Sequence, residues 1–376
     1  MGKHLIFVGG GHAHMTALLN LSEFIKRGHK VTLISPSPYH YYSGMGPGML
    51  SGIYRPEEVR FHIRKMAEDR GASFVEGAVV RVDPIKCILA LSSGDEIGYD
   101  VVSFNTGSYV PVGSLTGSDQ NAFTVKPITN LQKAKQTVLD LLRKREPRLV
   151  VIGGGPAGLE ISGNLWRLVH EHGTDAQITV LAGPKFLPQF PEKVFLLATK
   201  SLRSRGIEVV EGAFVNRLEH GRAFLEDGRE FPFDLVFLAM GVRPSEIFRD
   251  SGLPVGKDGG LLVNDYLQSV DSPVIFGGGD CISFQRQPLD KVGVYAVRQN
   301  PVLYHNLMMA LEGGTMKPFD PGGEYMLIFN LGNGTGIFRK KNWVWNGRFA
   351  FKLKDYIDRK FMRRFQVSGE LKELAD

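Results

Sequence analysis

Two glycine-rich turns constrain the fold of this chain more than any other feature of its sequence. The first covers residues 9–13 and follows an apolar run at residues 5–8, and the second covers residues 153–158 and follows an apolar run at residues 149–152. Glycine permits a sharp strand-to-helix reversal and lets backbone N–H groups approach a pyrophosphate at a helix N-terminus. A further Gly-Gly-Gly-Asp motif lies at residues 277–280. The pattern predicts an α/β fold with two Rossmann-like dinucleotide-binding units, the second inserted into the first.

The two turns differ in how completely they follow the three-glycine pattern. The second keeps all three glycines, whereas the first keeps two and has His14 in the third position. The third glycine normally allows close packing of the helix on the strand. We therefore expect the first helix to lie further out or to tilt. An ordinary glycine-rich loop is the alternative for the first turn, but its place directly after the first strand favours phosphate binding.

The length of 376 residues indicates two or three units. Nested dinucleotide sites are typical of flavoproteins that pass electrons from a reductant through FAD. We expect an FAD-binding domain over residues 1–115 and 260–325, an NAD(P)H-binding domain over residues 116–259, and a C-terminal amphipathic, membrane-associating region over residues 326–376.

The cysteine count and the hydropathy pattern favour a cytoplasmic protein. The two cysteines, Cys87 and Cys281, are too few for a disulfide framework and indicate a reducing compartment. We expect both to be structural, with Cys87 in a strand over residues 85–91. The chain shows no signal peptide and no apolar stretch long enough to span a bilayer. No histidine pair has metal-ligand spacing, so no metal is expected.

The positive charge of the chain is concentrated near its C-terminus. Ten basic and two acidic residues lie between Arg339 and Phe365, while the whole chain carries a net charge of +6. Apolar residues recur there at helical spacing, at Phe349, Leu353, Ile357, Phe361 and Phe365. A basic amphipathic helix of this kind predicts peripheral docking on an anionic membrane surface, here the inner face of the cytoplasmic membrane. The alternative is a core-packing helix with a basic outer face. Nucleic-acid binding is disfavoured because no recognised module accompanies the patch.

Five segments together resemble one known group of enzymes. They are residues 9–14, 42–48, 126–128, 293–299 and 354–362. The chain resembles the type II NADH dehydrogenase and sulfide:quinone oxidoreductase group of FAD-dependent pyridine nucleotide oxidoreductases. It is most similar to the NADH-dehydrogenase-like module that some organisms fuse to selenide, water dikinase. The resemblance implies a peripheral membrane flavoprotein that passes electrons from NADH or NADPH through FAD to a quinone or another small acceptor. A homodimer is a further expectation.

The motifs and the resemblance together assign the cofactor-binding residues. FAD is expected to contact Gly9, Gly10, Gly11, His12, Ala13, Ser35, Pro47, Val80, Thr106, Gly107, Asp280, Val294 and Tyr295. NAD(P)H is expected to contact Gly153, Gly155, Pro156, Ala157, Gly158, Glu160 and Gly241. Hydride transfer requires positioning rather than a side-chain acid or base. No catalytic side chain is therefore required, and the only candidate is Glu160, which the resemblance places near the nicotinamide.

Both units lack the acidic residue that usually binds the ribose at the end of the second strand. The first unit has Ser35 there, and the second has Ala182 and Gly183 with Lys185 close by. NAD is therefore not strongly selected, and Lys185 is compatible with a 2′-phosphate. Two alternatives stay open. One is a sulfide or selenium-compound donor that involves Cys281 or Cys87, and the other is a flavoprotein with a vestigial second site that acts with a partner.

Overall fold

The computed structural model describes residues 2–372. Its strands are β1 His4–Val8, β2 Lys30–Ser35, β3 His40–Tyr41, β4 Arg60–Phe61, β5 Ser73–Glu76, β6 Val79–Asp83, β7 Ile88–Leu91, β8 Glu96–Gly98, β9 Val101–Phe104, β10 Ala122–Thr124, β11 Arg148–Ile152, β12 Gln177–Leu181, β13 Glu208–Val210, β14 Val215–Glu219, β15 Arg222–Leu225, β16 Glu230–Pro232, β17 Leu235–Leu238, β18 Leu261–Val263, β19 Ile275–Gly277, β20 Ile282–Phe284, β21 Leu327–Asn330, β22 Gly336–Lys340 and β23 Trp343–Gly347. Its α-helices are α1 Met15–Leu19, α2 Leu21–Lys26, α3 Gly46–Leu50, α4 Ile63–Glu68, α5 Thr129–Leu142, α6 Pro156–Glu171, α7 Glu192–Arg203, α8 Ile247–Asp250, α9 Gly293–Glu312 and α10 Arg348–Phe365.

The first sheet is parallel and has the strand order β19-β9-β1-β2-β5. β1 lies at its centre, where Val8 is in register with Ile34 of β2 and with Phe104 of β9. The apolar run that forms β1 is almost completely buried, as expected for a parallel strand that is covered on both faces. The first glycine turn therefore leaves the carboxyl edge of the sheet, where ligands bind in open α/β folds.

The second sheet repeats this arrangement with the order β10-β17-β11-β12-β13, and all its pairs are parallel. Its central strand, β11, leads into the second glycine turn. A small antiparallel meander accompanies each unit, β6-β7-β8 in the first and β14-β15-β16 in the second. The predicted α/β class with two Rossmann-like units is confirmed.

Several element bounds differ from the sequence-based expectations. Cys87 does not lie in a strand, as predicted, because β7 begins one residue later and Cys87 occupies the preceding turn with a φ of 54°. The carboxylate of Asp83 accepts hydrogen bonds from the N–H groups of Ile85 and Lys86, which holds this segment as a turn. The Asx turn that begins at Asp83 therefore replaces the first part of the strand that the apolar pattern predicts.

The C-terminal region consists of an antiparallel sheet, β21-β22-β23, and the long helix α10. The helix packs against this sheet, and its buried residues, Ala350, Lys354, Asp358, Met362 and Phe365, form a mixed polar and apolar face. Three of them contact the first unit: Lys354 bonds to Gly44, Asp358 to Tyr42, and Phe365 packs on Phe61. The predicted apolar stripe crosses the helix obliquely, since Phe349 is 69% exposed whereas Phe365 is buried. Within residues 2–372, no helix combines the length and hydrophobicity that a membrane span requires.

Candidate active site

The first glycine turn is packed so closely that side chains are excluded. A Cβ on Gly9, whose φ is +84°, would lie 2.4 Å from the carbonyl oxygen of Asn105. The buried Nε2 of His12 and the buried Nδ2 of Asn105 have no hydrogen-bond partner among the described residues. A tight backbone cradle with orphaned donors around it fits a bound nucleotide. The residues present therefore fit the pyrophosphate half of FAD.

His14, in place of the third glycine, is a structural histidine. It is fully buried, with Nδ1 2.6 Å from the carbonyl oxygen of Gly9 and Nε2 2.8 Å from Oγ of Ser103. Burial lowers the pKa of His14 to about 4, so the imidazole is neutral. The chain after the turn runs as a 3₁₀ segment over His12–His14 and as two short helices, α1 and α2, rather than as one long helix.

Asp280 is the centre of a second group of polar contacts at the same edge. Its Oδ2 accepts hydrogen bonds from Oγ of Ser108 at 2.7 Å and from Nζ of Lys126 at 2.8 Å. Burial alone would raise the pKa of Asp280, but Lys126 and Ser108 hold it below its usual value. The N–H of Gly279 donates to Oε1 of Gln299 at 2.7 Å, which ties this turn to α9. The carboxylate is therefore ionised and fixed.

Most of the other predicted FAD residues lie along this edge. Thr106 and Gly107 directly follow β9, and Val294 and Tyr295 lie in the first turn of α9. Three more residues belong to other elements: Ser35 is the buried end of β2, Pro47 is buried in α3, and Val80 lies on β6 with 53% of its surface exposed. Lys126 was noticed in the sequence only as part of a motif.

The second glycine turn has the geometry of a phosphate site. A Cβ on Gly158 would lie 1.9 Å from the carbonyl oxygen of Gly153, so the helix packs on the turn at closest approach. A Cβ on Gly155 would meet nothing within 4 Å. Gly155 is the N-cap of α6 and makes no side-chain capping bond, and Pro156 and Ala157 follow in the first helical turn. The free N–H groups at this end can bind a phosphate.

The ribose corner of the second unit, the segment at Ala182 and Gly183 that follows β12, contains no carboxylate. The carbonyl of Gly183 accepts a hydrogen bond from the N–H of Gly212, and the ring of Phe214, which is 57% exposed, lies against Gly183. An acid directly follows the neighbouring strand β13, where Oε1 of Glu211 accepts a hydrogen bond from the N–H of Phe186 at 2.6 Å. Gly241, with a φ of +92°, is exposed in the loop after β17.

A buried charged cluster joins α10 to the loop before α3. Nζ of Lys354 donates to the carbonyl oxygen of Gly44 at 2.7 Å and to Oδ2 of Asp358 at 2.6 Å. The hydroxyl of Tyr42 donates to Oδ1 of Asp358 at 2.9 Å. Burial alone would lower the pKa of Lys354, but Asp358 and Glu160 raise it above its usual value. The cluster thus holds a charged lysine directly before α3, the helix that contains Pro47, an expected FAD contact.

Glu160 completes this cluster from the side of α6. Its Oε1 accepts a hydrogen bond from the N–H of Asn330 at 2.7 Å, so the carboxyl faces β21. Burial raises the pKa of Glu160 to about 7, against the opposing effects of Lys354 and the Asn330 N–H. The carboxyl can therefore exchange a proton near neutral pH. Sequence reasoning singled out Glu160 but assigned no site role to Lys354 and Asp358, which it counted as charges of a basic tail and as part of the resembling segment 354–362.

The two cysteines lie in unrelated environments. Cys281 is buried, and its Sγ donates to the carbonyl oxygen of Gly278 at 3.2 Å. Burial raises the pKa of its thiol, which keeps it unreactive. Cys87 lies in a turn and is not disulfide-bonded. In the described part of the chain, no group of three or more potential metal ligands is found.

The geometry therefore comprises two glycine turns at the carboxyl edges of parallel sheets, an Asp280 turn, and a protonatable carboxyl between α6 and α10. The family model described as pyridine nucleotide-disulphide oxidoreductase matches residues 3–308. The chain belongs to this family. Members of this pyridine nucleotide-disulphide oxidoreductase family depend on FAD, so FAD is the cofactor of this protein and the predicted family is confirmed.

Individual relatives agree with this assignment. The type II NADH:quinone oxidoreductase of Staphylococcus aureus is 23% identical over 98% of this chain and 96% of its own length. The mitochondrial external alternative NADH-ubiquinone oxidoreductase of Yarrowia lipolytica is 24% identical over 77% of this chain, which spans 57% of that longer protein. The solved structure of NDH2 from Plasmodium falciparum in complex with NADH has the same fold, with a TM-score of 0.83, 15% identity and 98% coverage of both chains. The resemblance to the module fused to selenide, water dikinase stays a prediction.

Proposed function

We propose that this protein is an FAD-dependent NAD(P)H dehydrogenase that passes electrons to a quinone. The observation that carries the proposal is the position of Glu160, a protonatable carboxyl held between the second phosphate turn and the buried Lys354–Asp358 pair. A quinone takes up protons together with electrons, so its reduction needs a proton source that nicotinamide oxidation does not. The similarity to relatives named as NADH:quinone oxidoreductases supports the same acceptor.

We assign nicotinamide binding and proton delivery to the acceptor to two different groups of residues. FAD, when bound, accepts hydride from the nicotinamide and releases electrons to the acceptor. The turn at Gly153–Gly158 and the N-terminus of α6 would hold the pyrophosphate of NAD(P)H and so orient its nicotinamide. Lys354 fixes the segment before α3 through the Gly44 carbonyl. Glu160 would hold a proton on its carboxyl group for delivery on the acceptor side.

The nicotinamide half of the proposal is tested by Gly155→Glu. The open space around this position accommodates the side chain, but the added carboxylate repels a pyrophosphate at the N-terminus of α6. We expect bleaching of the flavin by NADH and by NADPH to slow more than tenfold while FAD stays bound. Gly155→Ala is the matched control. Normal bleaching in the glutamate variant would place the nicotinamide elsewhere.

The acceptor half is tested by anaerobic titration of the purified protein with NADH, NADPH and sulfide in separate runs, followed by a soluble quinone. In the wild type, reoxidation by quinone should slow as the pH rises through about 7, because Glu160 then loses its proton. In Glu160→Gln, reoxidation should be slow and independent of pH in this range, because the amide has no titratable proton. An unaltered pH profile would remove Glu160 from the proton path. Bleaching by sulfide alone would instead support the alternative donor, and a variant without cysteines should then be inactive.

We further propose that the surface around the start of α10 docks on an anionic membrane, at the inner face of the cytoplasmic membrane. Trp343 is 75% exposed and Phe349 is 69% exposed, and the exposed Lys352 and Arg348 adjoin them. Exposed aromatic side chains among basic ones are typical of headgroup binding. Removing the whole region would also remove Lys354, so point variants are the sharper test.

The membrane test compares wild type with a Trp343→Ser, Phe349→Ser double variant by sedimentation with vesicles. Vesicles that contain anionic phosphatidylglycerol should bind the wild type, and the double variant should bind at least tenfold more weakly with its soluble quinone activity intact. Equal binding of both proteins would contradict the docking surface. The homodimer also stays a prediction, which sedimentation velocity tests directly.

A further inference from the structure

Lys126 is a charged residue at the FAD site that neither glycine pattern accounts for. Its ammonium donates to Oδ2 of Asp280 and to Oγ of Ser108, both at 2.8 Å. The side chains of Lys126 and Asp280 are only 22% and 14% exposed, so water screens them weakly. An ammonium has three N–H groups. Since two partners are found within residues 2–372, one N–H is left for a ligand.

The backbone of Lys126 is fixed by its neighbours in the second unit. Its carbonyl oxygen accepts a hydrogen bond from Oγ1 of Thr124 at 2.7 Å, and Thr124 is itself held by Nδ2 of Asn130 at 2.9 Å. Two residues further on, the side chain of Ile128 lies against Gly46, where an added Cβ would approach it to 3.1 Å. The ammonium is therefore held between the Asp280 turn and the start of α3, and Asp280 and Pro47 of these two segments are both expected to contact FAD.

The other charges near this point do not duplicate that of Lys126. Lys291 lies close enough to lower the pKa of Asp280, but its Nζ is bound to Oδ2 of Asp258 at 2.6 Å. The imidazole of His12 also senses Asp280 and Lys126, and burial lowers its pKa to about 4, so it is neutral. Lys126 is thus the cation that the second unit contributes to the site of the first.

We propose that Lys126 sets the reduction potential of the bound FAD. Uptake of two electrons and one proton would convert the uncharged isoalloxazine ring of FAD into an anion, and an ammonium fixed by Asp280 and Ser108 would stabilise that anionic ring more than the uncharged oxidised ring. Asp280 is then both a ligand of the cofactor and the anchor that keeps the ammonium in place. The inference rests on the FAD-binding part of the proposed function and does not depend on the donor or the acceptor.

The test measures the midpoint potential of the holoprotein against a reference dye, with electrons supplied by xanthine and xanthine oxidase instead of a nicotinamide. The glutamine in Lys126→Gln can still hydrogen-bond to Asp280 but lacks the charge. We expect reduced FAD to bind about tenfold more weakly relative to oxidised FAD, which is about 30 mV in a two-electron couple. Lys126→Arg should restore most of the potential. Lys133→Met, on the exposed face of α5, is the control.

The affinity for oxidised FAD is measured on the same variants by fluorescence. An unchanged potential in Lys126→Gln would overturn the proposal, even if FAD is then bound more weakly, because Lys126 would only be an anchor. Should that variant lose FAD, Ser108→Ala keeps the lysine charge but removes one of its two anchors, and its potential should fall by a smaller amount. An unchanged potential there would likewise contradict the inference. Absence of FAD from the wild type would instead refute the proposed function, so the two failures are distinguishable.

Discussion

The two glycine turns of this protein pack against the chain segment that follows them in different ways. In the second unit the helix reaches the turn because side chains are missing, as the 1.9 Å approach of a Cβ on Gly158 to the Gly153 carbonyl shows. In the first unit a buried imidazole, His14, fills the corresponding space and hydrogen-bonds to Gly9 and Ser103. The second turn continues into the sixteen-residue helix α6, whereas the first continues into a 3₁₀ segment and two short helices.

The difference predicts different sensitivities for the two units. Packing through glycine does not change with pH, but any added side chain disrupts it. A buried neutral histidine is sensitive to acid and intolerant of truncation, because its partners lose hydrogen bonds with it. Conformity to the three-glycine pattern is therefore a poor guide to how firmly a turn is held.

The largest expected effect follows from restoring the missing glycine in the first unit. His14→Gly makes the pattern complete, but it leaves a cavity and removes two buried hydrogen bonds. We expect the free energy of unfolding to fall by about 4 kcal/mol. Urea unfolding of the purified protein measures this loss, with the exposed His220→Gly as control. A stable variant would mean that the first turn, like the second, can pack through glycine alone.

Acid should weaken the first unit through the same residue. The pKa of His14 is about 4 in the folded protein and near 6.5 in the unfolded chain. Between these values the unfolded state binds a proton that the folded state does not. Stability is therefore complete above pH 6.5, falls as the pH drops to about 4, and loses about 3 kcal/mol for this one residue.

A His14 variant separates the contribution of His14 to the acid-induced loss of stability from the contributions of other histidines. His12 and His40 are also buried with lowered pKa values, so they contribute in the same direction. Urea unfolding at several pH values should show one proton less of pH dependence in His14→Gln than in wild type. The same slope in both proteins would show that His14 does not carry the acid sensitivity.

Features that depend on neighbouring residues could be predicted from the sequence. The apolar run at residues 101–104 predicts a strand with the bounds that β9 has, and both glycine turns lie between a strand and a helical segment as expected. These elements are encoded by short apolar runs and by glycine, whose effects are local. The apolar run at residues 273–276 predicts a strand before the Asp280 turn, whereas the observed strand β19 is Ile275–Gly277, since apolar residues alone do not decide where pairing with β9 begins.

Features that depend on distant contacts could not be predicted. Lys354 reaches the Gly44 carbonyl across 310 residues of sequence, and Lys126 reaches Asp280 across 154. A count of charges treats each of these lysines as solvated, and only the fold shows that they are buried against a carboxylate. The burial of His14 also depends on a distant contact, since its partner Ser103 is 89 residues away. The buried ion pairs are therefore the part of the site that required the structure.

The second unit should be sensitive to volume instead of pH. In Gly158→Ala the new Cβ would collide with the Gly153 carbonyl, so the helix must shift away from the strand. We expect a loss of about 2 kcal/mol in unfolding free energy, as for other overpacked sites, together with weaker nicotinamide binding. Gly155→Ala, which meets no neighbouring atom, should leave stability within about 0.5 kcal/mol of wild type. Equal effects of the two alanines would contradict the close packing of α6.

The smallest expected effect concerns the ribose corners, where the two units are alike in lacking an acid. The exposed Lys185 follows β12 and forms no ion pair in the described part of the chain, so it is available to a 2′-phosphate. Lys185→Ala should raise the KM for NADPH about fivefold, or about 1 kcal/mol, and leave that for NADH unchanged, since an exposed charge is partly screened. The difference should shrink as salt is added, and Lys193→Ala on α7 should have no effect. Equal KM values for NADH and NADPH in both wild type and variant would show that Lys185 does not distinguish a 2′-phosphate from a 2′-hydroxyl. The choice between the two nucleotides would then depend on contacts around the nicotinamide.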